Sequence, residues 1–113
     1  MKKLTIPFLL AGLFVFQYCS TAKKAQKEPA KITYEANVQS IISNNCAPCH
    51  IPPNGKREPL NTYDAAKTHI DEIITRIQKN PGEKGFMPFK HDKLSDSTIQ
   101  VFVQWRTDGL LEK

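Results

Sequence analysis

A chain of 113 residues with a formal charge of +5 has room for one small domain once any leader is set aside, and a domain of that size has a thin core. The charge is lopsided: from residue 32 onward Lys and Arg balance Asp and Glu, ten against ten, so the basic excess lies in the first 31 residues. A folded part without a basic stripe leaves nucleic-acid binding without support.

The chain begins with Lys2 and Lys3, followed by a mostly apolar run over residues 4–16. A charged stretch ahead of an apolar one is the pattern of a secretory signal; as a membrane span the run is short, and Pro7 interrupts it. Residues 1–19 are therefore expected to be a signal peptide and the protein to be exported to the periplasm. Cleavage has two candidate positions. Ser20-Thr21-Ala22 offers a small-x-small site and a new N-terminus at Lys23. Alternatively, Cys19, which ends the apolar run and opens a polar segment, resembles the cysteine of a bacterial lipoprotein, lipidated after cleavage and anchoring the protein to a membrane. Residues 20–31 hold Lys23, Lys24, Lys27 and Lys31 with Glu28 and Pro29, a composition that suits a flexible basic tether.

The folded part is expected over residues 32–113. Thr33 is placed to cap a helix over residues 34–45, with Tyr34, Val38, Ile41 and Ile42 recurring on one side. That helix delivers Cys46-Ala47-Pro48-Cys49-His50, the C-x-x-C-H attachment signature of a c-type haem. At this spacing one turn of backbone presents two thiols to the two vinyl groups and leaves the histidine beneath the iron. Three other readings use the same residues, the plainest being two buried cysteines followed by a chance histidine. A zinc site would take Cys46, Cys49, His50 and a fourth ligand such as His69 or His91, but lacks the second paired cluster such sites carry. A thioredoxin-like redox pair would sit in a βαβ context, and no such alternation occurs.

Pro52, Pro53, Gly55 and Pro59 make the following stretch a loop that wraps something; Lys56 and Arg57 within it read first as solvated loop charges, with neutralisation of a haem propionate by one of them as the alternative. Asn61-Thr62 looks like a helix start. Residues 63–79 read as one broken helix or two short ones, with Ala66, Ile70, Ile73, Ile74 and Ile77 on the apolar side and Pro81-Gly82 as the stop. Residues 83–89 are too rich in Gly and Pro for a helix and too apolar for an ordinary surface loop. Met87 in that loop is the natural second axial ligand, a soft thioether between Gly85 and Pro88, and Phe86 and Phe89 would shield the same face from water. His91 and His69 are rivals that would give a bis-histidine iron. The last helix has Ser95 as N-cap, Asp96 in its first turn, Leu94 placed to staple against Ile99, a bulky face of Ile99, Phe102, Val103 and Trp105, and Gly109 as the stop. No stretch alternates as a strand does. The fold class is all-α.

In sum of its parts, a helix, the haem motif, a looping middle with a short helix, Gly85-Phe86-Met87-Pro88 and a final helix carrying Trp105 resemble a class I monohaem cytochrome c domain, over roughly residues 32–111. The resemblance implies a small helical domain wrapped around one covalent haem c, with Cys46 and Cys49 thioether-linked, His50 the proximal ligand and Met87 the distal one. It implies a close crossing of the first and last helices; the positions eight and four residues before the first cysteine, often a glycine and an aromatic in that family, are Val38 and Ile42 here. A proline carbonyl steadies the proximal histidine in many members, and Pro59 is the nearest candidate. The expected function is one-electron transfer between redox partner proteins outside the cytoplasm, by a monomer that is a carrier rather than an enzyme, with Phe86, Phe89 and Trp105 keeping water from the haem. The alternatives are a haem domain that binds ligands or catalyses with Met87 displaced, and a zinc-stabilised binding module.

Overall fold

The computed structural model describes residues 28–113. The leader expected over residues 1–19, the candidate lipidation site Cys19 and the tether up to residue 27 lie outside the described residues. Residues 28–31, the end of that tether, are exposed and in no regular structure.

The described residues are helical. The first helix opens with a wide π-type turn, Tyr34–Val38, and continues as helix α1, Gln39–Asn45. Thr33 caps it as the sequence predicts, its hydroxyl accepting from the Ala36 amide at 3.3 Å, so one of the otherwise unpaired first-turn donors is satisfied. The stretch predicted as one broken or two short helices is two: α2, Tyr63–Thr68, and α3, Ile70–Ile77, meeting at His69. Thr62 caps α2 through the Ala65 amide. In α3 the four isoleucines Ile70, Ile73, Ile74 and Ile77 fall at i, i+3, i+4 and i+7, and all four are buried. The final helix α4, Asp96–Thr107, starts on Ser95, whose Oγ accepts from the Thr98 amide at 3.2 Å. It ends in a Schellman turn, with Leu110 N–H bonded to Trp105 O at 2.9 Å and Gly109 N–H to Arg106 O at 3.3 Å. Gly109 has φ +97°, a conformation that costs a glycine nothing, which is why the helix stops there.

Helix α4 packs against both α3 and the opening turn of the first helix. Val38, Ile42, Phe102 and Trp105 fill that seam and are at most 1 % exposed; burial of this kind stabilises by roughly 1.5–3 kcal/mol per large aliphatic side chain. Val38 and Ile42 thus take up the crossing of the first and last helices with branched side chains. Tyr34, Tyr63 and Trp105 form an aromatic trio with centroids 5.8–6.3 Å apart, two of the pairs edge-on. Leu94 joins the same core as Ile99.

The two ends of the domain are laced together. Tyr34 N–H donates to Leu111 O at 2.8 Å and Glu35 N–H to Glu112 O at 3.0 Å, Trp105 Nε1–H donates to Leu111 O at 2.8 Å, and Ile32 N–H donates to Asp108 Oδ2 at 2.7 Å. That amide, then Gln104, holds the Asp108 carboxyl below the usual carboxylate range. A single parallel bridge, Thr33 to Leu111, is the one sheet-like pairing among the described residues.

Candidate functional site

Helix α1 ends on Cys46, whose amide caps back to Ile42 O at 2.8 Å. The next turn stays coiled: His50 N–H donates to Cys46 O at 3.0 Å and Ile51 N–H to Pro48 O at 3.2 Å. The pentapeptide is therefore one turn of backbone with both thiols on it, as the spacing requires. The two sulfurs are not joined to each other. Cys46 is half-buried and Cys49 exposed. Burial pushes the Cys46 thiol up to about 11.

The loop after the motif folds back onto it. Gly55 N–H donates to Ile51 O at 2.9 Å, Arg57 N–H to Cys49 O at 3.1 Å and Leu60 N–H to His50 O at 3.0 Å. A Cβ on Gly55 would lie 2.5 Å from both the Pro48 and the Cys49 carbonyl oxygens, so only glycine allows so close an approach. The consequence is chemical: the loop brings the Glu58 carbonyl to 2.6 Å from His50 Nδ1. A carbonyl can only accept, so Nδ1 carries the proton, and in the neutral ring Nε2 is then the nitrogen that presents a lone pair. A histidine ligand is oriented in this way by the bond its other nitrogen makes. The acceptor is Glu58, one residue before the expected Pro59; proline restricts the residue ahead of it to extended backbone, and it is that residue's carbonyl that turns to the imidazole.

Met87 lies in the second loop, half-buried at the margin of the core. Its amide donates to Arg76 O at 3.2 Å. Phe86 is buried, and Pro88 with it, whereas Phe89 is 63 % exposed, the one large hydrophobic side chain at the surface among the described residues. Lys90 lies over its ring at 5.4 Å. A hollow of about 430 Å3 is lined by this loop, including Phe86, Met87, Phe89 and His91. A second, of about 380 Å3, runs between the end of α1 and the start of α4 and includes Asn45, Pro88 and His91. Trp105 belongs to the helical seam, with its indole N–H bonded to backbone.

The remaining histidines take other places. His69, at the α2–α3 junction, has Nε2 3.4 Å from Glu58 Oε1 and Nδ1 3.9 Å from Glu72 Oε2. His91 is exposed, its amide closing on Pro88 O at 3.2 Å. Among the described residues no three His, Cys, Asp or Glu side chains are gathered so as to hold a metal ion, and the four-ligand cluster of the zinc reading is not assembled. Lys56 and Arg57 are exposed on the first loop. No helix among the described residues is long and apolar enough to cross a membrane.

Glu58, Gly55 and Arg76 carry parts of this site that the motif alone does not announce. A glycine and a residue ahead of proline, both inside a proline-rich loop directly after the motif, were the available signals for the first two; nothing in the sequence marks Arg76. No family model, no curated protein and no solved structure matches the chain.

Proposed function

We propose that the chain is an exported one-electron carrier built as a class I cytochrome c domain, with one haem c attached through Cys46 and Cys49 and ligated by His50 and Met87. The observation that carries the reading is the Nδ1 bond of His50 to the Glu58 carbonyl: it presets the tautomer a ligand histidine needs, in the residue directly after two unlinked thiols on one turn. The shelter of Cys46, half-buried at the end of α1, supports it, since a thioether is apolar and uncharged. The exposed Phe89 and half-buried Met87 support it as well, being apolar groups that a flat hydrophobic cofactor would cover.

A haem held in this way supplies one-electron chemistry at its iron. The chain's own residues would do the rest. Cys46 and Cys49 prevent loss of the group, Glu58 O fixes the plane of the His50 ring, Met87 offers a thioether that favours the reduced metal, and Phe86 and Phe89 exclude water from that side. These roles suit a carrier working between redox proteins outside the cytoplasm. Cys19 as a lipidated anchor, with residues 20–31 as its tether, would hold the domain at a membrane surface while leaving it free to meet its partners.

Replacing Met87 tests the assignment. The parent protein should be low-spin with a weak sulfur-to-iron charge-transfer band, and Met87→Ala should lose the band, lower the potential and bind carbon monoxide readily in the ferrous form. Rapid carbon monoxide binding by the parent, or a variant with unchanged spectrum and potential, would assign the domain to ligand binding instead. A double substitution of Met87 and His91 closes the route by which His91 replaces the thioether.

A further inference from the structure

The loop that bears Met87 is tied to one residue of α3 by two hydrogen bonds, and Lys79 Nζ adds a third contact by donating to the Lys84 carbonyl at 3.0 Å. Arg76 receives that loop twice. Its backbone carbonyl accepts from the Met87 amide at 3.2 Å, and its side-chain Nη1 donates to the Gly85 carbonyl at 3.4 Å, so the two bonds grip the chain on either side of Phe86. The guanidinium is itself held: Nη2 and Nε both donate to Glu72 Oε1, at 2.6 and 2.9 Å. The Arg76 hydrogen bond and charge keep the Glu72 carboxyl below its usual range.

Glu72 faces His69, and His69 faces the side chain of Glu58, the residue whose carbonyl orients His50. The residues of α3 that hold the Met87 loop are therefore linked, through His69 ahead of the helix, to the loop that orients His50. Gly85 is fitted to this contact, since a Cβ there would lie 3.2 Å from Nη1, closer than such contacts ordinarily come.

We infer that Arg76 is a positioning residue for the sixth ligand: with Glu72 it fixes the height of the Gly85-Phe86-Met87 segment and so sets how firmly the thioether is offered to the iron. The inference rests on the reading that Met87 is that ligand. An exposed ion pair contributes little to global stability, and here the pair acts on one loop. Its loss removes the Gly85 bond and loosens that loop, while the buried contacts of Trp105 and Phe102 involve neither partner.

The experiment uses the full-length, haem-loaded protein and imidazole as an external ligand that competes with Met87 for ferric iron. Arg76→Ala should bind imidazole about ten-fold more tightly than the parent, the change expected when one charge-assisted hydrogen bond is removed from the closed loop. The sulfur-to-iron band should weaken and the melting temperature should stay close to that of the parent. Arg76→Lys, which keeps a cationic donor toward Gly85 O, should restore most of the band. Arg106→Ala, which breaks a surface pair between α4 and Asp71 on the same helix α3, should leave band and imidazole affinity as they were. Unchanged imidazole affinity and an intact band in Arg76→Ala overturn the inference while leaving Met87 as ligand. A parent that has no such band and binds imidazole as Met87→Ala does overturns the Met87 assignment, and the role of Arg76 falls with it.

Discussion

Along the seam between the first helix and α4, the side chains of Tyr34, Val38, Ile42, Phe102 and Trp105 are closed in by protein; along the two proline-bearing loops, Cys49 and Phe89 lie at the surface and His50 and Met87 are half-covered. The seam is held by apolar packing and by the lacing of residues 32–35 to 108–112, so its structure is explained by the polypeptide alone. The loops are shaped with equal care by backbone bonds to Cys49, His50 and Arg76, yet what they shape is a set of groups with bonding capacity left over. The difference is that the apolar core of this small domain sits in the seam, whereas the loops leave Phe89 at the surface beside a half-covered Met87.

Three substitutions press on that contrast. Trp105→Ala should have the largest effect. Removing a fully buried indole from the seam is expected to cost about 3–5 kcal/mol, a large share of the 5–15 kcal/mol typical of small proteins, and thermal or denaturant unfolding of the loaded protein measures it. A loss below about 1 kcal/mol would mean that the seam is not where the stability lies. Gly55→Ala probes the loops: its methyl would collide with the Pro48 and Cys49 carbonyls, and relief of such crowding costs about 1–3 kcal/mol. The damage should appear as poor haem loading and an altered potential before it appears in the seam. Equal loading and an unchanged potential would show that the first loop does not position His50.

The smallest effect belongs to Tyr34→Phe. Tyr34 Oη is buried without a hydrogen-bond partner among the described residues, and burial raises the phenol's pKa. Deleting a buried, unpaired hydroxyl removes a desolvation cost, so the variant should be as stable as the parent or more stable by up to about 1 kcal/mol. A clear loss of stability would point to a bonded partner for that hydroxyl.

The helices were legible in the sequence because their signals are local. Thr33, Thr62 and Ser95 cap as their position before an apolar period predicts, the isoleucines of α3 repeat at helical spacing, and Gly109 stops α4. The π-type opening of the first helix was not legible, because it depends on how Tyr34 meets α4 and the C-terminal residues, far away in sequence. The site divided in the same way. Its thiols and histidine are a contiguous motif, whereas the carbonyl of Glu58 and the grip of Arg76 on Gly85 and Met87 arise from loops folding back, and backbone acceptors leave no mark on residue identity. Trp105 shows the converse: the sequence gives a bulky aromatic at the right face of α4, and packing then assigns it to the seam with Tyr34 and Tyr63.

The central claim, a haem bonded covalently to this motif, is tested most directly by mass. The full-length chain should be produced in a host that attaches c-type haem, purified, extracted with acid-acetone, digested and its peptides weighed. The account predicts a red polypeptide in which the peptide containing Cys46 and Cys49 is heavier by one haem and both thiols are blocked to alkylation. A colourless chain of unmodified mass, with both thiols free to alkylate, would contradict it.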